Sequence, residues 1–141
     1  MIKTRKVILD VASLRSMGGS GISAIQVKSN TGSWQTIWNG SNVSPAPTIP
    51  IGANWEVRVL WNASSTTALW AISVTLVAPE APSGRQKQSA NVRYSTSGNY
   101  SDSADFNMGA MPSGNVSLRI KLWATDYYTV DPPADASPTA W

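Results

Sequence analysis

The sequence predicts an all-β protein, folded as a two-sheet antiparallel β-sandwich of seven to eight strands. Short segments alternate apolar and polar residues and are rich in Val, Ile, Thr and Trp. Clusters of Gly, Pro, Ser and Asn separate these segments, and no long segment has the apolar spacing of a helix. Strands at this spacing fit an immunoglobulin-like arrangement or, alternatively, a jelly-roll.

Three segments are the clearest strands. Residues 54–61 place two tryptophans and two valines on one face, opposite a glutamate and an arginine. Residues 69–77 and 116–123 alternate in the same way. We expect each strand to bury one face and to expose the other to water. We interpret residues 62–67, between the first two strands, as a hairpin connection.

Weaker segments complete the domain. The additional strand candidates are residues 6–12, 22–28, 33–38, 90–95 and 104–108. Residues 43–50 are proline-rich and are interpreted as a connector. The prolines of residues 131–141 exclude a helix or a central strand. We therefore predict a single sandwich domain over residues 1–128 and an extended C-terminal arm over residues 129–141.

Part of the chain resembles a known family. Residues 49–64 contain a Pro-x-Gly step and an alternating strand that ends in Asn, and residues 111–123 contain a late proline–glycine step into a final strand. With residues 69–77, they resemble bacterial cell-adhesion-related immunoglobulin-like domains. The resemblance implies a seven-stranded sandwich that acts as a spacer, adhesive or structural module and has no catalytic set. Similar sandwich modules also occur in phage and viral virion proteins.

The composition argues against enzymatic chemistry. The chain has no histidine and no cysteine, and only eight acidic residues. Histidine is the commonest general acid or base, and thiolates are the nucleophiles most easily activated. No pair or cluster of the remaining polar residues forms a recognisable catalytic set. We predict a protein that is not an enzyme and that uses no cofactor and no metal.

Charge and hydropathy limit the partners. Only 13% of residues are charged, and the net charge of +3 comes from scattered basic residues, so nucleic acid is not the expected partner. No apolar run is long enough for a membrane span. The apolar run near the start is interrupted by Asp10, so we expect no signal peptide and synthesis in the cytoplasm.

Strand parity divides six of the seven tryptophans into two groups. Trp55, Trp61 and Trp70 alternate with aliphatic residues, so we expect them to be buried in the core. Trp34 and Trp38 flank Thr36 on one face of a short polar strand, and Trp123 shares a face with two basic residues. These three are candidate interface or ligand-binding residues.

Trp141 ends the proline-rich segment. An indole at the end of an extended arm gains stability by docking onto its own domain or onto a neighbouring subunit. We therefore include Trp141 among the candidate interface residues.

One short acidic segment offers oxygen ligands. Asp102, Asp105 and Asn107 are interpreted as residues of a loop, where they have the chemistry to bind a hard cation such as calcium. Calcium prefers six to eight oxygens, and the segment matches no calcium-loop pattern. A solvated turn is therefore the preferred interpretation, and cation binding is the alternative.

These observations favour a structural protein. We predict a virion (phage-type) decoration, minor capsid or tail-associated subunit, made in the host cytoplasm, that contacts its own copies or other virion or surface structural proteins. The contacts would use exposed tryptophans and terminal arms. The alternative is a carbohydrate-binding or adhesive module at the cell surface or outside the cell, with Trp34 and Trp38 as a sugar-stacking platform.

Overall fold

A computed structural model describes residues 4–9, 21–40, 48–65, 70–78 and 86–125. The strands are β1 (Thr4–Leu9), β2 (Gly21–Ser29), β3 (Gln35–Trp38), β4 (Thr48–Pro50), β5 (Asn54–Ser65), β6 (Trp70–Ala78), β7 (Gln86–Tyr94), β8 (Gly98–Ala110) and β9 (Val116–Thr125). Within these ranges no helix is long and apolar enough to cross a membrane.

The strands form two sheets. Sheet I has the strand order β4-β1-β9-β6-β7, and sheet II has the order β3-β2-β5-β8. Neighbouring strands are antiparallel, except that β1 runs parallel to β9. Buried residues of both sheets, such as Trp55 and Val59 in sheet II and Leu76 and Leu118 in sheet I, belong to one apolar cluster. The all-β sandwich predicted from the sequence is confirmed.

Strands β8 and β4 depart most from the predicted segments. Strand β8 covers 13 residues, whereas the sequence pattern identified only residues 104–108. Strand β4 lies in the segment interpreted as a connector, and it has three residues that pair with β1. The described part of the chain therefore has nine strands, more than the seven to eight expected.

The predicted hairpin between β5 and β6 is wrong. Strand β5 continues to Ser65 and pairs with β2 and β8, whereas β6 pairs with β7 and β9 in the other sheet. Because β5 already has a neighbour on each side, the chain must cross to sheet I. Consecutive strands also lie in different sheets at β1–β2, β3–β4, β4–β5, β7–β8 and β8–β9, so the chain passes between the sheets repeatedly.

Strand β6 also departs from the expected alternation. Its apolar residues on one side belong to the core cluster, but Thr75 and Val77 on the other side are 0% exposed. Strand β6 lies between two neighbours in the sheet, and Arg119 of β9 is directly opposite Val77. Long arginine stems cover adjacent apolar surface, so we attribute part of this burial to Arg119.

The sheets are also joined at the β7–β8 corner. The rings of Tyr94 and Tyr100 stack with their centroids 4.2 Å apart. The Tyr100 hydroxyl donates to the Thr96 carbonyl oxygen at 3.3 Å and also contacts the Thr96 hydroxyl. Burial and the negative charge of Asp102 raise the pKa of Tyr94, while Trp61 acts in the opposite sense. The corner holds the first residues of β8 against the end of β7.

Candidate functional site on the outer face of sheet II

The outer face of sheet II carries most of the described charged side chains. The alternation of β5 directs its tryptophans and valines inward, so Glu56 and Arg58 lie on the outer side. The strand register places Arg58 between Gln26 of β2 and Asp105 of β8, and it places Glu56 opposite Lys28. These side chains form rows across the sheet.

Arg58 and Asp105 form a bidentate ion pair. The guanidinium donates from Nε to Oδ1 at 2.7 Å and from Nη2 to Oδ2 at 2.9 Å. The hydrogen bonds from Arg58 lower the pKa of Asp105, and the same contact raises the pKa of Arg58. Both side chains remain partly exposed, at 31% and 47%, so water weakens the pair and its main effect is to orient Arg58.

A second, looser pair lies beside the first. Lys28 Nζ is 3.5 Å from Glu56 Oε2. Along the same face, the Gln26 amide donates to the Thr36 hydroxyl at 3.2 Å. The Ser101 hydroxyl donates to the Asn62 side-chain oxygen at 2.7 Å. Each of these contacts joins neighbouring strands, so the polar face is held in one arrangement.

Trp34 lies over this face. The Arg58 guanidinium carbon is 4.2 Å from the centroid of the indole ring, and Lys28 Nζ is 5.1 Å from it. Both distances are in the range of cation–π attraction. Because the carboxylate of Asp105 holds Arg58 in place, it also determines where the indole rests. The indole remains partly exposed.

We call this surface the Trp34 face. Its members are Gln26, Lys28, Trp34, Thr36, Glu56, Arg58 and Asp105. The two cations and two carboxylates cancel in charge, and the amide and hydroxyl groups offer both donors and acceptors. Chemically, the face combines a flat aromatic ring with neutral hydrogen-bonding groups.

The structure separates Trp34 from Trp38. Trp38 is opposite Ile25, Thr36 is opposite Gln26, and Ile37 is an extra residue at a β-bulge. A bulge reverses the alternation of the residues that follow it. Trp38 therefore packs against the core cluster, and the expectation that both indoles share one face is wrong.

Of the remaining tryptophans, two have described side chains and three do not. Trp55 and Trp61 are buried, as predicted, at 1% and 0% exposure. Trp123 is opposite Ser73 in the pairing of β9 with β6, but its side chain and that of Trp70 lie outside the described residues. Trp141 and the predicted arm over residues 129–141 also lie outside them. The predicted burial of Trp70 and the predicted interface roles of Trp123 and Trp141 remain predictions.

The acidic segment is a strand rather than a loop. Asp102 is opposite Trp61, whose side chain is in the core, whereas Asp105 is opposite Arg58 on the outer face. Both Asp105 oxygens accept from Arg58, and Asn107 Oδ1 accepts from the backbone N–H of Gly109 at 3.0 Å. In the described ranges no three acidic residues are grouped to hold a metal ion.

Sequence reasoning did not identify Arg58, Lys28 or Gln26 as functional residues. Alternation assigned Glu56 and Arg58 to the outer side of β5, so their exposure was predictable. Their partners lie on other strands, up to 47 residues away in sequence. A periodic pattern within one segment contains no information about such neighbours.

Comparisons with known proteins leave the family open. No protein-family model matches the sequence, and no curated protein matches it significantly. The resemblance to adhesion-related immunoglobulin-like domains therefore remains a prediction.

Proposed function

We propose that this protein is a non-enzymatic structural subunit of an assembly, of the kind that decorates or completes a virion. In this proposal it is made in the host cytoplasm and becomes part of the particle. The observation that carries the proposal is the edge strand β8, since an exposed strand edge is a site at which another chain can add.

The edge of β8 is long. It covers 13 residues, and among the described strands it pairs with β5 alone. Its outward side chains are short and polar, and they are Asn99, Ser101, Ser103, Asp105 and Asn107. The strand contains no lysine and no proline, which are common guards of exposed edges.

Two features limit where a second chain adds. Asp102 places a carboxylate on the inner side of the edge, and the bulge at Met108 interrupts regular pairing near the end of the strand. The outward carboxylate of the strand, Asp105, is neutralised by Arg58. A partner strand therefore meets little charge repulsion on the outer side, and the regular edge ends before the bulge.

The predicted contacts of the C-terminal arm supplement this edge. An arm that reaches a neighbouring subunit is a common way to cover an open edge. In this proposal, residues 129–141 and the indole of Trp141 bind a second copy or another structural protein of the particle. Trp123 stays a candidate contact residue of sheet I.

The test is the mass of the protein in solution by light scattering across a concentration series. Ser103→Lys adds a charge to the edge of β8, and Thr31→Lys adds the same charge to an exposed turn as a control. We expect an oligomer that Ser103→Lys and deletion of residues 134–141 both weaken and that Thr31→Lys leaves unchanged.

The outcomes separate the parts of the proposal. If neither Ser103→Lys nor the deletion weakens the oligomer, the β8 edge and the arm are not its contacts. A monomer at every concentration contradicts self-assembly. In that case, binding to purified particles or to other particle proteins decides whether the subunit needs a preformed partner surface.

A further inference from the structure

The Trp34 face has features that assembly through the β8 edge does not require. Arg58 and Lys28 project from the outer side of two strands of sheet II, and both approach the indole. The indole therefore lies against both cations and remains partly exposed.

A row of hydrogen-bonding groups lies on the same face of sheet II. Thr36, Gln26, Arg58 and Asp105 occupy one row across the four strands of sheet II, a span of about 14 Å at the usual strand spacing. The row contains a hydroxyl, an amide, a guanidinium and a carboxylate, so it offers both donors and acceptors. Asp105 uses only part of the donors of Arg58, and the others remain for a ligand.

Charge complementarity selects the class of ligand. Both cations of the face already have a carboxylate partner, at 2.7 Å for Arg58 and 3.5 Å for Lys28. An anionic ligand would have to compete with Glu56 and Asp105, and a cationic ligand would have to compete with Lys28 and Arg58. A ligand without charge meets neither obstacle.

We propose that the Trp34 face binds a neutral glycan. A pyranose ring has a flat C–H side that stacks on an indole, and its hydroxyls both donate and accept, which matches the mixed groups of the row. The glycan chain lies across the strands, with one sugar on Trp34 and the next toward Gln26 and Arg58. This binding function is independent of the proposed assembly through β8.

Side-chain pairs on the Trp34 face make the site preorganised. The Arg58–Asp105 pair holds the guanidinium under the indole, and the Gln26–Thr36 hydrogen bond orients the amide. Residues held in place before binding lose less conformational entropy when the ligand arrives. Trp34 is therefore the stacking residue, and Asp105 is a positioning residue that acts through Arg58.

The test is affinity gel electrophoresis in gels that contain one soluble polysaccharide each, with neutral and carboxylated polysaccharides in separate gels. A glycan array with neutral and acidic glycans covers shorter ligands. We expect retardation by at least one neutral polysaccharide, and we expect Trp34→Ala to weaken that binding about tenfold. Trp34→Phe keeps a ring and should retain part of the affinity.

The control is Gln35→Ala. Gln35 is exposed and next to Trp34, but it is opposite the inward-facing Val27, so its loss should leave binding unchanged. Gln26→Ala provides a second variant that keeps the indole, and it should weaken binding with a smaller effect. Circular dichroism of each variant confirms that the sandwich is intact.

Three results would overturn the proposal. They are the absence of binding to any neutral glycan, binding to acidic glycans alone, and neutral-glycan binding that Trp34→Ala does not weaken. If Trp34→Ala instead lowers the mass of the oligomer and no glycan binds, the Trp34 face is a protein contact. The light-scattering series with Ser103→Lys reports on assembly separately, so failure of one proposal does not decide the other.

Discussion

The outer faces of the two sheets differ in how much of the chain they bury. In sheet I, Thr75 and Val77 on the outer side of β6 are fully buried, although their neighbours in sequence face the core. In sheet II, the outer residues of the equally central strand β5, such as Arg58 and Leu60, remain partly exposed. Sheet I thus uses both sides of a central strand for stability, whereas sheet II leaves one side available for binding.

This difference indicates which surface is better suited to binding. When both faces of a strand are buried, substitution of its residues mainly changes the free energy of unfolding. Substitution of a partly exposed side chain that is held by paired neighbours mainly changes the contacts that this side chain makes. The Trp34 face belongs to the second kind, so its residues can change with small effects on folding.

The largest contrast is expected from one charge placed on each outer face. Val77→Asp buries a carboxylate, and although Lys87 and Arg119 are opposite position 77 and offset part of the cost, the free energy of unfolding should fall by about 2 kcal/mol or more. Leu60→Asp places the same group at a partly exposed position and should cost about 1 kcal/mol. Urea unfolding of the two variants measures both losses in the free energy of unfolding. Similar losses would show that the outer faces do not differ in this way.

A smaller effect is expected at the bulge that ends the regular edge of sheet II. Gly109 has φ +75°, and a Cβ added there has no atom within 4 Å, so the cost of Gly109→Ala is conformational. We expect a loss of about 1–2 kcal/mol. Gly114→Ala is the control, because Gly114 has equal space without a positive φ. A neutral Gly109→Ala would contradict the left-handed conformation.

The two ion pairs of the Trp34 face should differ in strength. A double-mutant cycle of Arg58→Ala and Asp105→Ala should give a coupling of about 0.5–1 kcal/mol, since the pair is bidentate. The cycle for Lys28 and Glu56, with a single contact at 3.5 Å, should give about 0.3 kcal/mol or less. A stronger second pair would show that Arg58 is not the main anchor of the face. Added salt should reduce both couplings.

A further small effect on stability is expected in acid. Because the pKa of Asp105 is lowered in the folded protein, its contribution is present above the unfolded pKa of about 3.9 and is lost as pH falls through the folded pKa. With a side chain 47% exposed, the loss should be below about 1 kcal/mol.

Urea midpoints between pH 5 and pH 2.5 test this effect. Asp105→Asn should show a smaller acid-side decrease than the unmodified protein. Asp102→Asn keeps the Arg58 pair and should retain the decrease that Asp105 causes. If the urea midpoints of Asp105→Asn and of the unmodified protein fall in parallel as the pH is lowered, Asp105 is not the source of the acid-side decrease.

Sequence patterns predicted much of the fold and little of the site. Alternation identified β5, β6 and β9 and correctly buried Trp55 and Trp61. It misassigned Trp38, because a bulge adds one residue to β3 and depends on how β2 and β3 pair. It also did not predict that both faces of β6 are buried, because that burial depends on neighbouring strands.

Alternation along the chain was enough to predict the fold class and the inner face of each main strand, because the period of two in apolar residues is a local property of the chain. Tertiary structure decided which strands are neighbours, and thereby decided that Arg58 meets Asp105 and lies against Trp34. It also decided that β5 and β6 lie in different sheets. The physical reason is that pairing between distant strands is selected by the packing of the whole sandwich, which no single segment encodes.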